Sequence, residues 1–380
     1  MIDKNSCCGC SACHDICEQN AIEMCLDEEG FSYPFILEDR CISCGTCLSV
    51  CPITQFKSET STEQPSSYIA WNNDDVSRKI SSSGGIFSAL AEKTISEGGV
   101  VVGAAFDEAL YLRHSIASSI EEYAPMRGSK YLQSDTCGIY IQVLNKLRAG
   151  FLVLFTGTPC QISGLNSFLA DKKFDKLITC EIFCHGVPSP GIFKEYIKYL
   201  ETKNSSKIIN YQFRSKVFGW HKPAVCVNYA NGKKRYYRHQ QCTYHNWFGM
   251  HYSIRPACYQ CAFRSVERSA DISIGDFWGI QSFRPDIDIE KGVSTILVTS
   301  EKGKAYLNKI NKTIYLEECP MDWPIKKNQY LIKSYPVPAL RAEFMSDFQT
   351  ITMNKLVNKY HPTRFMLRVF QRLLRAFRIG

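Results

Sequence analysis

Cysteines at short, repeated intervals dominate the start of the chain. A first run has the spacing C-x2-C-x2-C-x3-C, and the same spacing returns in a second run. The eight residues of the two runs are Cys7, Cys10, Cys13, Cys17, Cys41, Cys44, Cys47 and Cys51. Three thiolates at x2 intervals can hold one face of an iron–sulfur cube, while the fourth points toward a neighbouring cube. The pattern therefore predicts two 4Fe-4S clusters.

This spacing is that of the bacterial two-cluster ferredoxins, in which the runs exchange their fourth ligands. The predicted ligand sets are Cys7, Cys10, Cys13 with Cys51, and Cys41, Cys44, Cys47 with Cys17. Pro52 follows the second run, whereas Glu18 stands where the first run usually carries proline. The alternative is a pair of zinc knuckles, although a zinc site needs no third Cys at x2 spacing. Cys8 and Cys25 lie outside the register and are expected to be spare thiols.

Length and cysteine usage bound the class of protein. With 380 residues, 45% of them hydrophobic, the chain is long enough for two or three domains with buried cores. A disulfide framework is typical of small secreted proteins, whereas this chain is long and has no apolar segment before Cys7. We therefore expect the reducing cytoplasm. No stretch approaches eighteen consecutive apolar residues, so no membrane span is expected.

The net charge is concentrated at the C-terminus. Of the formal +8, five positive charges come from arginines between Arg364 and Arg378, where there is no acidic residue. The rest of the chain is close to neutral, which argues against a nucleic-acid groove.

The pattern of apolar residues divides the chain into four parts. Residues 1–56 are predicted to form an α+β, ferredoxin-like two-cluster domain, and the polar residues 57–67 a linker. Strands and helices alternate over residues 68–340, which predicts an α/β domain with a largely parallel sheet. An aromatic-rich segment at 208–237 predicts a small β-rich insertion. Residues 341–380 are predicted to be a helical, basic tail.

Two loops of the α/β part have residue types that can bind a ligand. The Ser/Gly run at 81–85 precedes a helix, where small residues and free N–H groups can hold a phosphate, although a simple capped turn has the same composition. Cys160 begins another helix after a strand, which favours a metal ligand or a reactive thiol; the alternative is a small buried side chain.

Six motifs in order along the chain resemble one family. They are SSGG (82–85), GSKYLQSD (128–135), TGTPCQISGL (156–165), CHGVPSP (184–190), CYQCAFR (258–264) and SADISIGDFWG (269–279). Behind a two-cluster front end, they resemble the coenzyme F-420 hydrogenase/dehydrogenase beta-subunit family over residues 3–300. The resemblance is weaker after residue 320.

The resemblance implies FAD and a third 4Fe-4S cluster in the α/β part. Its expected cluster ligands are Cys160, Cys184, Cys258 and Cys261. The first two each follow a predicted core strand and should meet at one sheet edge, where the CxxC pair can close the site. Four thiolates also satisfy zinc, so the ligand count leaves the metal open. The expected FAD contacts are Ser82, Ser83, Gly84, Gly85, Lys130, Tyr131, Thr158 and Gln161.

The sequence therefore predicts an FAD- and iron–sulfur-dependent oxidoreductase. Electrons would pass between a hydride carrier or substrate, such as coenzyme F-420, and the ferredoxin-type clusters, and on to a redox partner protein or ferredoxin. One alternative is a non-enzymatic electron-transfer subunit that docks a partner; another is a zinc-stabilised interaction module, which would be colourless. No residue identifies the catalytic group, the hydride donor, the direction of electron flow or the oligomeric state.

The tail after Pro362 gives a first prediction. Arg364, Arg368, Arg372 and Arg375 recur at helical spacing opposite apolar residues, which predicts a basic amphipathic helix. Such a helix either docks on the protein itself or contacts an anionic membrane or acidic partner. A peripheral membrane role predicts that the full chain co-sediments with anionic liposomes and that a chain ending at His361 does not. Equal binding by both would rule that role out.

Overall fold

The computed structural model describes residues 2–54, 65–170 and 172–361. Most of the predicted linker, from 57 to 64, and the basic tail from 362 to 380 lie outside the described residues. The domain boundaries at residues 56, 68 and 341 stay predictions.

The strands are numbered in chain order. They are β1 Ile22–Leu26, β2 Ser32–Ile36, β3 Ser66–Asn72, β4 Val100–Phe106, β5 Leu112–Ala117, β6 Val153–Gly157, β7 Leu177–Ile182, β8 Ile208–Ser215, β9 Ala224–Tyr229, β10 Lys234–Arg238, β11 Ile272–Asp276, β12 Ser294–Val298 and β13 Ile314–Cys319.

The α-helices are numbered in the same way. They are α1 Ala12–Asp15, α2 Thr46–Ser49, α3 Asp75–Ile80, α4 Ile86–Ser96, α5 Ile120–Tyr123, α6 Ile139–Arg148, α7 Pro159–Leu169, α8 Pro190–Asn204, α9 Thr243–Gly249, α10 Glu301–Asn308, α11 Asp322–Lys327, α12 Arg341–Thr350 and α13 Met353–Lys359. Among the described residues, no helix has both the length and the apolar character that a bilayer span requires.

The α/β part is built on an eight-stranded sheet with the order β13-β3-β12-β11-β7-β6-β4-β5. Only the central pairs β4–β6, β6–β7 and β7–β11 are parallel; the other four pairs are antiparallel. The α/β class is confirmed, but the prediction of a largely parallel sheet is wrong. β5 pairs antiparallel with β4 because the short loop 107–111 joins them, whereas β3 pairs antiparallel with β12 and β13, which are distant in the sequence.

Both faces of the central strands are covered. Val101, Leu154 and Ile178 face a core shared with Leu90 of α4 and Leu307 of α10. Their neighbours along the strands face the opposite core, beneath α6 and α7; these are Val100, Val102, Val153, Phe155 and Leu177. Successive side chains of a strand point to opposite faces, so two covered faces require a continuous apolar run. This explains the unbroken apolar character of 100–102 and 153–155.

A separate three-stranded antiparallel sheet, β10-β9-β8, accounts for the predicted β-rich insertion. Its inner face packs on α8, α9, α12 and α13, where Phe193, Phe213, Tyr244 and Trp247 form an aromatic core. Through Leu112 and Leu132, this core reaches the edge of the large sheet.

The N-terminal cysteine-rich residues contain the β1–β2 hairpin and the one-turn helices α1 and α2. The ferredoxin-like fold predicted for residues 1–56 stays a prediction. Cys10, Ala12 and Val50 are buried in the same core as Ile162 and Leu165 of α7. The cysteine-rich part and the α/β part therefore share apolar packing.

Polar contacts fix the same interface. The Asp15 carboxylate accepts hydrogen bonds from the backbone N–H groups of Gly138 (2.6 Å) and Tyr140 (3.0 Å), which caps the N-terminus of α6. On the other side, Gly30 and Gly191 touch backbone to backbone, and a Cβ on Gly191 would lie 2.6 Å from Gly30 Cα.

Arg255 is the most buried cation at this interface, with 0% of its surface exposed. Its guanidinium donates to the Cys7 carbonyl (2.6 Å), to Gln133 Oε1 (2.8 Å) and to the Ser32 carbonyl (3.0 Å). The cation also lies over the Tyr33 ring, 4.1 Å from its centroid.

The contacts of Arg255 predict a large cost for its removal. Arg255→Met leaves two buried backbone carbonyls and one amide oxygen without donors, so we expect a loss of about 3 kcal/mol or more in the free energy of unfolding. Anaerobic urea unfolding followed by fluorescence measures it. Arg235→Met, on exposed β10, is the control and should cost under about 0.5 kcal/mol. Equal stability of the two variants would contradict the stabilising role of Arg255 at this interface.

Candidate functional site

The two cysteine runs share a backbone conformation as well as a spacing. In the first, Gly9 and Ser11, on either side of Cys10, have φ of 68° and 63°. In the second, Ser43 and Gly45 flank Cys44 in the same way, with φ of 55° and 75°. Alternation of left- and right-handed residues turns successive N–H groups inward, toward a bound anionic group. The internal repeat in the sequence is therefore also a repeat of loop geometry.

The two predicted ligand sets differ in burial. A small cavity is lined by the whole first set, Cys7, Cys10, Cys13 and Cys51, together with Cys47 and Cys8. Burial raises the pKa of Cys13 to about 12, and the nearby thiols of Cys7 and Cys51 contribute. In contrast, Cys41 and Cys44 are exposed and lie outside that lining. The first set faces the α/β part, whereas Cys41 and Cys44 of the second set face solvent.

Cys160 and Cys184 lie at the same edge of the large sheet. β6 and β7 are parallel, with Gly157 opposite Glu181, and each cysteine follows its strand by two or three residues. Cys160 is the second residue of α7, and its Sγ lies 3.1 Å from Thr158 Oγ1. The meeting of the two loops at one edge agrees with the prediction.

The CxxC pair is brought to this edge by pairing of the chain next to it. Pro188 and Ile254 form an isolated antiparallel bridge, and Arg255 N–H donates to the Val187 carbonyl (3.0 Å). Cys258 and Cys261 follow on a short 3-10 turn. They line a cavity of about 110 Å³ together with Cys160, Cys184 and Cys8. Among the described residues, no three His, Cys, Asp or Glu side chains close around a single metal ion.

The chemistry of this cavity fits an anionic group. Arg264 and Arg268 line it, and the Nε atom of each is buried without a hydrogen-bond partner among the described residues. Arg268 is held by Glu181, at 3.3 Å, with both side chains almost fully buried. A 4Fe-4S cluster bound by four thiolates carries net negative charge, which buried cations and N–H donors stabilise. Burial raises the pKa of Cys184 to about 12, so metal binding here would release protons.

A second cavity, of about 600 Å³, lies along the C-terminal edge of the parallel strands. Seven of the eight predicted cofactor residues line it: Ser82, Ser83, Gly85, Lys130, Tyr131, Thr158 and Gln161. The eighth, Gly84, is not in the lining, because it packs behind the turn, where a Cβ would lie 2.7 Å from the Ala70 carbonyl. Gly84 allows the turn to approach the sheet.

The Ser/Gly turn opens an anion-binding arrangement. Gly85, at φ 86°, is the N-cap of α4, and no side chain caps that helix. The first N–H groups of α4 are therefore available to a phosphate. Lys216 holds the turn from behind by donating to the Ser83 carbonyl. Arg78 Nε donates at 2.9 Å to the carbonyl of Gly292, which packs beside Ser83.

Lys130 and Tyr131 contribute to the wall in a different way than expected. All three protons of the Lys130 ammonium go to backbone carbonyls, those of Pro125 (2.8 Å), Met126 (2.7 Å) and Arg127 (3.0 Å). Burial lowers the pKa of Lys130 to about 7, while the three carbonyls favour its charged form. The Tyr131 ring stacks on Phe248, at 4.9 Å. Lys130 can therefore contribute charge and an aliphatic stem, but its hydrogen bonds are already used.

Thr158 and Gln161 form the N-terminal cap of α7. Gln161 Oε1 accepts from the Thr158 N–H (2.9 Å), and its Nε2 donates to Ser134 Oγ (2.9 Å). Their side chains therefore fix the loop that carries Cys160.

The far end of the large cavity is rich in histidine and was missed from the sequence. His185, His239, His245 and His251 line it with Arg214. His245 Nδ1 and one Arg214 amino group are buried without a hydrogen-bond partner in the described residues. Asp276, in the DISIGDFWG motif, binds Arg214 and accepts from Trp220 Nε1 at 2.8 Å. No local signal marks this end, because its histidines are scattered over residues 185–251 in loops and a short helix.

The three cavities adjoin one another. We call the 110 Å³ cavity of Cys160, Cys184, Cys258 and Cys261 the third cysteine cavity. It shares four lining residues with the large cavity, namely Cys184, Gly186, Val187 and Tyr330. Cys8 lines both the third cysteine cavity and the cavity of the first cysteine run.

Comparison with known proteins accounts for this combination. Residues 6–54 match the family model of the 4Fe-4S dicluster domain, and residues 152–323 match the model for the C terminus of the coenzyme F420 hydrogenase/dehydrogenase beta subunit. The matched residues belong to these two families. The chain is therefore an iron–sulfur protein of an oxidoreductase family, and the resemblance inferred from its motifs is confirmed.

Among solved structures, a similar chain occurs in the xenon-derivatised F420-reducing [NiFe] hydrogenase complex from Methanosarcina barkeri. The identity is 18% and the TM-score 0.48, over 70% of this chain and 90% of that chain. The comparison with curated proteins gives no match.

A buried histidine orders the floor of the large cavity. His114 Nε2 donates to the Thr156 carbonyl (2.9 Å), and Nδ1 accepts from Ser134 Oγ (3.0 Å). Gln161 donates to the same serine oxygen. Burial lowers the pKa of His114 to about 4.

The depressed pKa predicts a pH dependence of stability. Between pH 6.5 and 4 the unfolded chain binds a proton at His114 that the folded chain does not, so stability is present above pH 6.5 and is lost as pH falls. From pH 7.5 to 5.5, His114→Gln should lose about 1 kcal/mol less free energy of unfolding than the native chain. Urea unfolding at the two pH values measures it.

Proposed function

We propose that the protein is an FAD- and iron–sulfur-dependent oxidoreductase. Electrons pass between a hydride carrier or substrate in the 600 Å³ cavity and the ferredoxin-type clusters, by way of a third 4Fe-4S cluster bound by Cys160, Cys184, Cys258 and Cys261. The observation that carries the proposal is the row of three adjoining cavities with shared walls. Such a row brings each redox centre against the next.

The size and lining of the large cavity support a flavin. Its volume lies within the range of cofactor sites, which are mostly apolar with a few polar groups. The turn at Ser82, Ser83 and Gly85, with the uncapped start of α4, suits the phosphates. The space between Gly128 and the turn is open to a ligand, because even a Cβ built on Gly128 would lie 3.7 Å from the nearest atom, Ser82 Oγ.

A bound flavin supplies the exchange of a hydride for single electrons. The residues of this chain bind and orient it. Lys130 and Arg214 add positive charge to the cavity wall, and the aromatic side chains of Tyr131, Phe248 and Trp278 exclude water. His245, whose Nδ1 is unpartnered among the described residues, is the candidate to hold a proton beside the substrate end.

The exposed end of the ferredoxin part supports transfer to a partner. Cys41 and Cys44 are exposed, and the side chain of Ile42 between them is 65% exposed. A redox partner protein or a ferredoxin can approach the second predicted cluster there. The same feature favours the second candidate, a non-enzymatic subunit that only relays electrons to a docked oxidoreductase. The reducing cytoplasm is the compartment that suits these centres.

Cofactor analysis tests the proposal. Anaerobically purified protein should be coloured, with about twelve irons per chain and one FAD, as three cubane clusters require. Cys258→Ser should lose about four irons, and Cys44→Ser should lose or convert one cluster while FAD stays bound. Cys226→Ser, at a buried thiol of β9 far from the cavities, is the matched control.

Several results would contradict the proposal. Zinc without iron would favour an interaction module. A flavin-bound chain that oxidises no reduced nicotinamide or deazaflavin, and reduces no candidate substrate from reduced ferredoxin, would favour the non-enzymatic subunit. Loss of FAD in Cys44→Ser would argue against separate cofactor sites.

A further inference from the structure

Cys8 is not part of either cysteine run, yet it lines two of the three cavities. Among the described residues, it is the one side chain that lines both the cavity of the first cysteine run and the cavity of Cys160, Cys184, Cys258 and Cys261. Its side chain is half-buried. The wall between the two cavities is therefore a thiol.

The neighbours of this thiol are ligands of two different predicted clusters. Cys8 lines the first of these cavities together with Cys10 and the second together with Cys160. Cys10 belongs to the first ferredoxin set, and Cys160 to the third set. The Cys8 thiol thus lies between residues whose sulfur atoms would be bonded to the iron of two different clusters.

The helix that carries Cys160 is shaped for this approach. Gly164 lies one turn after Cys160 on α7, and a Cβ at this position would lie 3.0 Å from both Cβ and Sγ of Cys10. Residues four apart share a face of a helix, so Cys160 and Gly164 face the same loop. The missing side chain at Gly164 lets the Cys10 loop lie against the helix.

The backbone of the loop is held in place from the α/β part. Gln133 Nε2 donates to the carbonyl oxygens of Cys8 (3.0 Å) and Gly9 (3.3 Å), and Thr136 Oγ1 donates to the Cys10 carbonyl (2.9 Å). Gly9 adopts φ 68°, and a Cβ there would lie 2.6 Å from the Arg255 guanidinium. These contacts fix the backbone of Cys8 beside both cavities.

We propose that Cys8 is a positioning residue for electron transfer between the third cluster and the first ferredoxin cluster. Its thiol bridges the two cavities, and its S–H bond donates to the sulfur of Cys10, a ligand of the first ferredoxin cluster, which accepts the electron. In the transfer step one cluster loses one electron and the other gains it; Cys8 remains a thiol, and no bond to it forms or breaks. The inference rests on the proposed function, because it requires the third cluster.

The test compares Cys8→Ala and Cys8→Ser in the full, cluster-loaded protein. Removing the thiol removes one hydrogen bond to a cluster sulfur, which lowers the reduction potential of that cluster and slows transfer between the two by about tenfold. Serine keeps an O–H donor and should restore the potential in part. Photoreduction of the bound flavin, followed by freeze-quench electron paramagnetic resonance, gives the rate at which the first cluster is reduced. A redox titration gives the potentials.

Two further variants separate bridging from folding. Gly164→Ala keeps every thiol but pushes the Cys10 loop from the helix, so it should slow the same step. Cys25→Ala removes an exposed thiol of the same cysteine-rich part and should leave rate and potentials unchanged. All four variants should keep about twelve irons.

The results distinguish this inference from the proposed function. A native chain with only about eight irons overturns the third cluster, and with it both proposals. With twelve irons present, a native transfer rate and native potentials in Cys8→Ala overturn the bridging role alone. Loss of about four irons in Cys8→Ala also overturns it, because Cys8 would then be a ligand.

Discussion

Through its backbone and its buried guanidinium together, Arg255 joins the three loops that carry the predicted ligands of two clusters. Its backbone N–H binds the Val187 carbonyl near Cys184, its carbonyl accepts from the Cys258 N–H at 2.9 Å, and its side chain donates to the Cys7 carbonyl. A cation with no exposed surface is stable only when its donors are satisfied, so these contacts must form together. Arg255 therefore helps to fix the distance between the first cysteine run and the cavity of Cys160, Cys184, Cys258 and Cys261.

The sequence predicted the features that depend on neighbouring residues, and it did not predict those that depend on contacts between residues distant in the sequence. The meeting of the Cys160 and Cys184 loops follows from strand direction alone, and the apolar runs of β4, β6 and β7 identified strands that are covered on both faces. The antiparallel outer strands were missed because β3 pairs with β12 and β13, which are distant in the sequence, and the apolar pattern does not record such pairing. Cys8 was expected to be a spare thiol because its neighbour Cys160 is distant in the sequence. The positions of Arg255 and Asp15 likewise follow from tertiary contacts that no short pattern records.

The motifs located the cavity wall better than they located its chemistry. Lys130 and Gln161 both line the large cavity, yet the polar groups of both side chains are occupied by hydrogen bonds within the protein. Gly84 belongs to the Ser/Gly motif but serves close packing behind the turn. A short motif contains residues that hold the backbone of a site as well as residues that contact the ligand. The motif alone does not distinguish the two roles. The unpartnered groups of Arg214 and His245, which lie outside or at the edge of the motifs, are the better indicators of where a ligand binds.

On the proposed function, the centres at the two ends of the iron–sulfur row are stabilised by different physical means. In the cavity of Cys160, Cys184, Cys258 and Cys261, the charge of a reduced cluster is met by Arg264 and by Arg268, which Glu181 holds in place. Fixed charges need little reorganisation when an electron arrives, because they are already oriented. The second ferredoxin set is exposed at Cys41 and Cys44, where water meets the added charge but must reorient as it does so. The larger reorganisation energy is therefore expected at the second ferredoxin cluster, which has to stay open for a partner. The transfer steps inside the protein take place among groups that are already oriented.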